Sequence, residues 1–247
     1  MRLVLIGASG HGKVCVEIAA LCGYDDILFL DDDGSLTECG GYAVVGVEAD
    51  YKEYLDDKTF FFVSIGSAKI RRRIIEEIEI AGGKIATLIH PKAVISDSVE
   101  VGIGSVVMAG AVINPGTQIG RGCIVNTSSS VDHDCIIGDY SHIAVGAHLC
   151  GTVDVGENSW IGAGAVVSNN LNICSDVTVG AGAVVIRDLD EAGTYLGVPA
   201  KRIEKVSNVN KASEDSNFKA PEAIRGGYYL SNILALQTVD RHSRRAA

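Results

Sequence analysis

The sequence lacks several features that would assign it to common classes of protein. None of its 247 residues belong to a run of the ~18 to 20 apolar residues that a membrane-spanning helix needs. The short apolar start, MRLVLI, is followed at once by glycines, so it predicts a buried strand and not a signal peptide. Seven cysteines form an odd set without a CxxC pair, which argues against a disulfide framework or a zinc site. We therefore expect a cytoplasmic protein with reduced thiols, no metal and no membrane span.

Positive charge is also scarce. The chain has 21 lysines and arginines against 31 aspartates and glutamates, which gives a formal net charge of -10 at pH 7. This balance disfavours a nucleic-acid backbone as the main partner. With 47% hydrophobic residues and only 4 prolines, the composition is that of a folded chain and not of a disordered one.

What the chain has instead is a strict six-residue repeat. Sixteen consecutive hexads carry an aliphatic residue at one position and a mostly small residue two positions earlier. The aliphatic residues are Ile95, Val101, Val107, Ile113, Ile119, Val125, Val131, Ile137, Ile143, Leu149, Val155, Ile161, Val167, Ile173, Val179 and Val185. Such a pattern is typical of a hexapeptide parallel β-helix, in which three hexads close one coil around the aliphatic side chains. Cys123 and Cys135 occupy the small position, which predicts a packing role for both. Glycines just after the aliphatic residue, such as Gly102 and Gly120, are expected at corners with positive φ.

The first eighty-odd residues show strands that alternate with helices. The expected elements are a strand at 3–6, a GASGHGK turn, a helix at 14–22, strands at 27–30 and 60–65, and a helix at 68–81. This order predicts a small parallel sheet of the Rossmann-like, nucleotide-binding kind. Asp31 and Asp32 follow the second strand, where an acidic side chain can accept hydrogen bonds from a ribose or a base. The G-x-x-G-x-G turn departs from the dinucleotide fingerprint, so a purely structural role for its glycines stays open.

The polar stretch NTSSSVDHDC stands inside the repeat without breaking it. His133 comes two residues after the inward Val131, so its side chain is expected to project outward. A histidine has an ordinary pKa of ~6.5 and can serve as a general base near neutral pH. Asp132 and Asp134 flank it, but strand neighbours point to opposite faces, so one carboxylate alone is expected to reach the ring. From the residues alone, a surface histidine without a catalytic role is the favoured interpretation of His133. His90 and His148 are expected to be surface or packing residues.

Several segments, in order and with matching spacing, resemble one known family. They are IGASGHGK, FLDDD, LIHPKAVIS, NTSSSVDHD, IGDYSHIAVGAHLCG and GVPAKRI. These resemble the PglD/NeuD family of sugar acyltransferases, and most of all its PglD-type UDP-4-amino-sugar N-acetyltransferases. The resemblance implies a Rossmann-like nucleotide-sugar-binding domain at 1–88 and a left-handed parallel β-helix at 89–203. Residues 204–247 are polar and read as a flexible extension.

The resemblance also implies an activity and an assembly. The family transfers an acetyl group from acetyl-CoA to the 4-amino group of a nucleotide-linked 4-amino-4,6-dideoxy sugar, here with UDP as the expected nucleotide. It forms homotrimers whose active sites lie between subunits. Two alternatives stay open, namely O-acetylation of sialic acid or a related sugar, as in the NeuD branch, and a non-catalytic β-helix used for assembly or binding.

The site residues follow from matching positions. His133 is the expected general base, with Asp134 as its carboxylate partner. The residues expected to bind the acceptor are Gly10, His11, Gly12, Asp31, Asp32, Ser67 and Asn126. The residues expected to bind acetyl-CoA are His142, Gly151, Ala163, Ala181 and Lys201, with the N–H of Gly151 near the thioester oxygen. Where the family carries Gly-Asn-Asn or Gly-Asp-Asn, this chain has Gly66-Ser67-Ala68, which leaves the identity of the base open.

The charge distribution indicates three candidates for binding the phosphates of CoA, and ordinary surface charge is an equally open interpretation of all three. From Ile89 to Val185 the repeat holds only two cations, Lys92 and Arg121. Cations just past the last coil, Arg187, Lys201 and Arg202, are therefore the candidates to hold the phosphates of CoA.

Overall fold

The structure is a computed structural model that describes residues 1–203. These residues form one compact unit, in which an α/β sheet is followed by three stacked sheets of short strands. The extension expected at 204–247 lies outside the described residues. Neither long helix in the described part of the chain has the length and apolar character needed to cross a membrane.

The N-terminal part is a six-stranded sheet with helices. Its strands are β1 (Arg2–Ile6), β2 (Asp26–Leu30), β3 (Glu38–Cys39), β4 (Tyr42–Gly46), β5 (Thr59–Val63) and β6 (Lys84–Ile85), and its helices are α1 (Gly10–Leu21), α2 (Ala68–Ile80) and a 3₁₀ helix (Glu48–Tyr54). The strand order is β3-β4-β2-β1-β5-β6, parallel except for the antiparallel β3–β4 pair. The central β1 is an apolar run because both faces of a parallel sheet are covered. The Rossmann-like prediction is confirmed.

The prediction for the first helix was wrong at its start. We expected a glycine turn followed by a helix from Val14, but α1 begins at Gly10. Gly10, His11 and Gly12 therefore lie in its first turn. Glycine has a low helix propensity, so the sequence favours a loop there, whereas the packing of α1 on the sheet extends the helix backwards.

The second part is a prism of three parallel sheets. The first face holds β7 (Leu88–Ile89), β10 (Val106–Val107), β13 (Ile124–Val125), β16 (His142–Ile143), β19 (Trp160–Ile161), β22 (Val177–Val179), β24 (Gly193–Leu196) and the antiparallel β25 (Lys201–Arg202). The second face holds β8 (Val94–Ile95), β11 (Val112–Ile113), β14 (Ser130–Val131), β17 (His148–Leu149), β20 (Val166–Val167) and β23 (Val184–Val185). The third face holds β9 (Glu100–Val101), β12 (Gln118–Ile119), β15 (Ile136–Ile137), β18 (Asp154–Val155) and β21 (Asn172–Ile173). The predicted hexapeptide β-helix is confirmed.

Coils stack in register, so that each residue lies beside the one 18 residues further along the chain. Val125, for example, pairs with Val107 on one side and with Ile143 on the other. The repeated aliphatic residues from Val107 to Val185 are at most 3% exposed. Burial of each such side chain stabilises the fold by about 1.5 to 3 kcal/mol. The core is therefore a column of aliphatic side chains along the inside of the prism.

The corners correct one prediction about glycine. Positive φ recurs at every sixth residue, at Gly104, Gly110, Gly116, Gly122, Ser128, Asp134, Tyr140, Gly146, Thr152, Asn158, Gly164, Asn170, Asp176 and Gly182. The glycines just after the aliphatic residue, which we expected to have positive φ, do not have it. Gly102 is instead needed because a Cβ there would lie 2.5 Å from the Gly120 carbonyl carbon in the next coil. These glycines allow close stacking of coils, and the left-handed corner comes two residues later.

The first face of the prism is partly covered by the α/β sheet. The outward side chains of Leu88, Val106 and Ile124 are buried in one apolar cluster with Leu3 and Leu5 of β1. The cover ends at the next coils, because His142 is half-buried and Trp160 is 45% exposed. The first face is therefore accessible where it extends beyond the α/β sheet.

Helix α2 makes a second attachment, at the corner between the third and first faces. Tyr140 is buried in an apolar cluster with residues of α2. The Arg72 guanidinium lies 4.5 Å from the centre of the Tyr140 ring and donates a 2.6 Å hydrogen bond to Glu157. Arg121 of the prism donates to Glu79 of α2 at 2.5 Å. These contacts fix the α/β sheet against the prism.

Candidate active site

The loop between β1 and α1 exposes backbone N–H groups. Gly7 has a φ of +107°, and a Cβ on Gly12 would clash with the Gly7 carbonyl, so both positions require glycine. The N–H groups of Gly10, His11 and Gly12 have no acceptor within residues 1–203. Because a helix start also carries the positive end of the helix dipole, this loop suits an anion such as a phosphate.

Asp31 and Asp32 shape the neighbouring loops. Asp31 accepts from the N–H of Ala8 at 2.7 Å and from that of Asp33 at 2.8 Å. Asp32 accepts from the N–H of Glu48 at 2.9 Å, at the start of the 3₁₀ helix. Each carboxylate has two oxygens with two lone pairs each, so acceptor sites remain for a ribose or a base. Both residues lie at the carboxyl end of β2, beside the glycine loop.

His11 is held in its neutral form. Burial, and then the charge of Arg71, lowers the pKa of His11 to about 4. Its Nε2 lies 3.6 Å from the Cys15 sulfur. Burial raises the pKa of the Cys15 thiol, so that residue is a neutral neighbour and not a nucleophile. His11 can therefore act at neutral pH as an uncharged hydrogen-bonding group.

His142 lies on the first face, next to the α/β sheet. Asn126 donates from Nδ2 to His142 Nε2 at 3.1 Å, and its Oδ1 accepts from the Thr127 N–H at 2.8 Å, which sets the amide orientation. Burial, then Arg71 and then His11, lowers the pKa of His142 to about 3. The neutral ring must then carry its proton on Nδ1, which is buried without a partner in residues 1–203. Trp160 stacks on the ring with centroids 5.1 Å apart.

Ser67 lies at the end of the loop after β5. It precedes the first residue of α2, its side chain makes no capping hydrogen bond, and it is exposed. Its hydroxyl is therefore available to a ligand on the glycine-loop side of the sheet. Ser64 in the same loop is buried and donates to the Gly7 carbonyl at 2.7 Å, which joins the two loops.

His133 and Asp134 form a pair at the corner between the second and third faces. The ring Nδ1 donates to Asp134 Oδ2 at 2.9 Å, which leaves the Nε2 lone pair free to accept a proton. This hydrogen bond, with the nearby charges of Asp132 and Asp134, raises the pKa of His133. Asp132 turns the other way, accepting from the His133 N–H at 2.9 Å and from Asn114 at 2.7 Å. The side chains of His133 and Asp134 are 57% and 67% exposed.

Glycines on both neighbouring coils make room for this pair. A Cβ on Gly151 would lie 2.5 Å from His133 Nε2, and a Cβ on Gly116 would clash with the Asp134 carboxylate. The N–H of Gly151 has no acceptor within the described residues. An N–H next to His133 Nε2 is well placed to stabilise a developing oxyanion.

The structure brings some of the predicted residues together and separates others. Gly10, His11 and Gly12 lie on the side of the first face that carries His142. His133 and its partners lie at the corner between the second and third faces, which is the corner opposite the first face in a triangular prism. A single chain therefore holds the two parts of the candidate site on different sides.

The five residues expected to bind acetyl-CoA do not lie together. His142 is on the first face and Gly151 is at the corner of His133, whereas Ala163, Ala181 and Lys201 lie along another corner and at the top of the prism. Ala163 and Ala181 occupy equivalent corner positions in successive coils, are exposed, and have N–H groups without acceptors in residues 1–203. Lys201 in β25 is exposed and forms no ion pair with any described residue. Arg202 differs, because Glu191 accepts its hydrogen bond at 2.6 Å. Lys201 is thus better placed than Arg202 to bind a free phosphate.

Sequence reasoning missed Trp160 and Asn114. Both could have been found from the 18-residue register, since Trp160 is one coil beyond His142 and Asn114 one coil before Asp132. No group of three or more His, Cys, Asp or Glu side chains in residues 1–203 is arranged to hold a metal ion.

Comparison with known proteins identifies the family. The profile of the PglD N-terminal domain matches residues 2–78. The acetyltransferase domain of PglB from Neisseria gonorrhoeae is 43% identical, with a TM-score of 0.79 over 82% of this chain and 99% of that one. The chain belongs to the PglD family of sugar acyltransferases. A structure of the same Neisseria domain contains acetyl coenzyme A.

Two further relatives are informative. PerB from Caulobacter crescentus, solved with CoA and GDP-perosamine, is 37% identical, with a TM-score of 0.79 over 83% of this chain and 98% of PerB. The UDP-N-acetylbacillosamine N-acetyltransferase of Bacillus subtilis is 35% identical over 111 residues, which are 44% of this chain and 51% of that protein. This chain therefore spans about half the length of the curated relatives it matches.

Proposed function

We propose that this protein transfers the acetyl group of acetyl-CoA to the 4-amino group of a nucleotide-linked 4-amino-4,6-dideoxy sugar, with UDP as the expected nucleotide. The observation that carries the proposal is the pair of His133 and Asp134 beside the N–H of Gly151, which has no acceptor in residues 1–203. Family membership supports it. One relative is named for N-acetylation of an amino sugar, and two related structures contain acetyl-CoA or CoA.

The chemistry requires a base and an oxyanion donor. The uncharged sugar amine attacks the thioester carbonyl, and its nitrogen then carries an excess proton while the carbonyl oxygen becomes negative. His133 Nε2 accepts that proton, and Asp134 stabilises the resulting imidazolium through Nδ1. The Gly151 N–H donates to the oxyanion, a contact of a kind worth about 3 to 4 kcal/mol. When the C–S bond breaks, His133 returns the proton to the CoA thiolate.

The acceptor is held by the other part of the site. The glycine loop offers N–H donors for the diphosphate, and Asp31, Asp32 and Ser67 lie at the loops where a nucleoside would bind. Neutral His11 and His142 offer uncharged hydrogen-bonding groups for the sugar, with Asn126 setting the His142 ring. Ala163, Ala181 and Lys201 would hold CoA along the prism.

The geometry also supports a homotrimer. Because the base and the acceptor residues lie on different sides of one prism, a complete site needs His133 from one chain and His142 from a neighbour. Closed cyclic symmetry provides this contact three times with one repeated interface. Light scattering on the full chain should therefore give the mass of three chains.

A mixing experiment tests the shared site directly. The variants His133→Ala and His142→Ala are each expected to be weakly active alone. Co-expression in equal amounts should restore about a quarter of the sites, because a random trimer pairs an intact His133 with an intact neighbouring His142 at that frequency. Absence of any gain in mixed trimers would show that each chain carries a complete site and would overturn this arrangement.

The activity is tested by thiol release from acetyl-CoA. The panel contains UDP-, dTDP- and GDP-linked 4-amino sugars and sialic acid, with His133→Ala as the control protein. We expect release with a nucleotide-linked 4-amino sugar. Release with sialic acid alone would indicate O-acetylation, and release with none of these acceptors would favour a binding function.

A further inference from the structure

Arg71 of α2 is a buried cation between the two parts of the fold. Its side chain is 1% exposed. Four of the five guanidinium N–H donors bond to main-chain carbonyl oxygens. Nη1 donates to Ile65 at 2.8 Å and to Gly66 at 3.0 Å, Nε donates to Gly122 at 2.7 Å, and Nη2 donates to Tyr140 at 2.7 Å.

These carbonyls belong to the segments that position the acceptor residues. Ile65 and Gly66 form the loop after β5, which leads to Ser67 and touches the glycine loop through Ser64. Gly122 and Tyr140 lie at the corners that precede β13 and β16, and these strands lead to Asn126 and carry His142. One side chain therefore links the nucleotide-facing loop with two successive coils of the prism.

The charge of Arg71 has no counter-ion in the described structure. No carboxylate of residues 1–203 forms an ion pair with it, whereas the adjacent Arg72 and Arg73 pair with Glu157 and Glu48. Burial lowers the pKa of Arg71 to about 10, which still leaves it charged at neutral pH. Burying a cation without a compensating anion is costly, and four hydrogen bonds to neutral carbonyls satisfy four of its five donors without cancelling its charge.

The positive potential of Arg71 reaches the acceptor site. Its guanidinium is bonded to the carbonyl of Tyr140, two residues before His142, and to the loop after β5, which Ser64 joins to the glycine loop. Its charge helps to lower the pKa values of both His11 and His142. In a protein with a net charge of -10, a cation beside the glycine loop would locally attract a negatively charged ligand. An anionic ligand on that loop would supply the missing counter-charge.

We propose that the charge of Arg71, which is held between the loop after β5 and the coils of Asn126 and His142, attracts the diphosphate of an anionic acceptor that it does not touch. This inference rests on the proposed function, since it assigns the source of affinity for the nucleotide part of the acceptor. It predicts that the charge contributes to binding of the phosphates and not of the nucleoside.

The test compares ligands with and without phosphates. Affinities of the full-length protein are measured for UDP and uridine, and for GDP and guanosine, by calorimetry and by competition. In Arg71→Gln, the affinity for the preferred nucleoside diphosphate should fall by about tenfold, the size of one partly screened charge interaction. The affinity for the matching nucleoside should stay the same. The ratio of the diphosphate affinity to the nucleoside affinity therefore tests the proposal. An unchanged ratio would overturn the proposal.

Two further variants separate charge from folding. Arg71→Lys keeps the charge and loses most of the carbonyl contacts, so it should melt at a lower temperature but keep the diphosphate affinity within about threefold. Arg72→Gln removes a cation one residue along that is already paired, and it should leave both affinities unchanged. If Arg71→Gln does not fold, Arg71→Met takes its place, because apolar replacement of a buried ionic group is often tolerated. A folded Arg71→Lys that loses the diphosphate affinity would contradict a role for the charge.

Failure of this inference can be told apart from failure of the proposed function. If the protein binds the diphosphate in a way that depends on Arg71 but transfers no acetyl group, the inference about Arg71 holds and the proposed function is wrong. Acetyl transfer to a nucleotide-linked amino sugar with an unchanged affinity ratio in Arg71→Gln would do the reverse.

Discussion

His133 and His142 are nine residues apart in the same repeat, yet the fold treats them in opposite ways. His133 stands at an open corner with a carboxylate on Nδ1, and its pKa is raised. His142 lies next to the α/β sheet with an amide on Nε2, and burial lowers its pKa to about 3. The first ring is suited to accept a proton and the second to remain neutral. The position of each histidine on the prism therefore determines whether its pKa is raised or lowered.

The largest expected effect comes from removing the first histidine. His133→Ala should lower kcat by about 10² to 10⁴, the range for loss of a general base, with little change in the KM for acetyl-CoA. Steady-state kinetics of thiol release measures both constants. His148→Ala is the matched control, because His148 is an exposed histidine on the second face that bonds only to Ser130 among the described side chains. Near-normal turnover in a folded His133→Ala variant would show that His133 is not the general base.

A smaller effect is expected from displacing His133 without removing it. In Gly151→Ala the new methyl group would press on Nε2 and Cε1 of the ring, and a misplacement of about 1 Å can cost about 10²-fold in kcat. Gly151 does not have positive φ, so the backbone accepts alanine. Gly34→Ala, at a position with no atom near the added Cβ, is the control for the same substitution. An unchanged kcat would show that the position of the ring is not critical.

The pH dependence tests the environment of His133. Asp134 raises the pKa of His133, and only the neutral ring can accept a proton, so activity should fall as the pH drops through that raised value. In Asp134→Asn the pKa moves down towards the ordinary value, and the acid limb of the kcat profile should move to lower pH. Asp132→Asn, which removes a weaker and more distant influence, should shift the limb less. An acid limb that stays in place in Asp134→Asn would mean that another group controls it.

The smallest expected effect concerns the pH titration of His142. Trp160 is the only tryptophan of the chain, and its ring stacks on His142, so its fluorescence reports the charge of that histidine. Because the pKa of His142 is lowered to about 3, the fluorescence should show no step between pH 8 and about 5. A quenching step near the ordinary pKa of histidine, lost in His142→Gln, would show that both histidines titrate alike.

The parts of this molecule that could be predicted from the sequence are those that repeat. The hexad pattern predicted the aliphatic column, and the inward places of Cys123 and Cys135 are confirmed by their burial. Local patterns could not predict the start of α1, because packing on the sheet overrides the low helix propensity of Gly10 and Gly12.

The candidate site was less accessible to sequence reasoning. At the corner that holds His133, Asp134 is the next residue and Gly151 lies one coil of 18 residues further on. Their proximity could therefore be predicted from the repeat. The burial of His142 depends on where the α/β sheet ends against the first face, and the contacts of Arg71 join residues 51 and 69 positions away. Such long-range contacts have no local signature.

The left-handed corner at every sixth residue limits how such a chain can change in length. Insertion of one residue would bring a different side chain to each later corner and turn the aliphatic column outward. Insertion of six would preserve the corners but rotate all later residues onto the next face, which would carry Gly151 away from His133. Only a whole coil of 18 residues can be gained or lost with every later stack intact. Proteins built on this prism can therefore change in height only by complete coils.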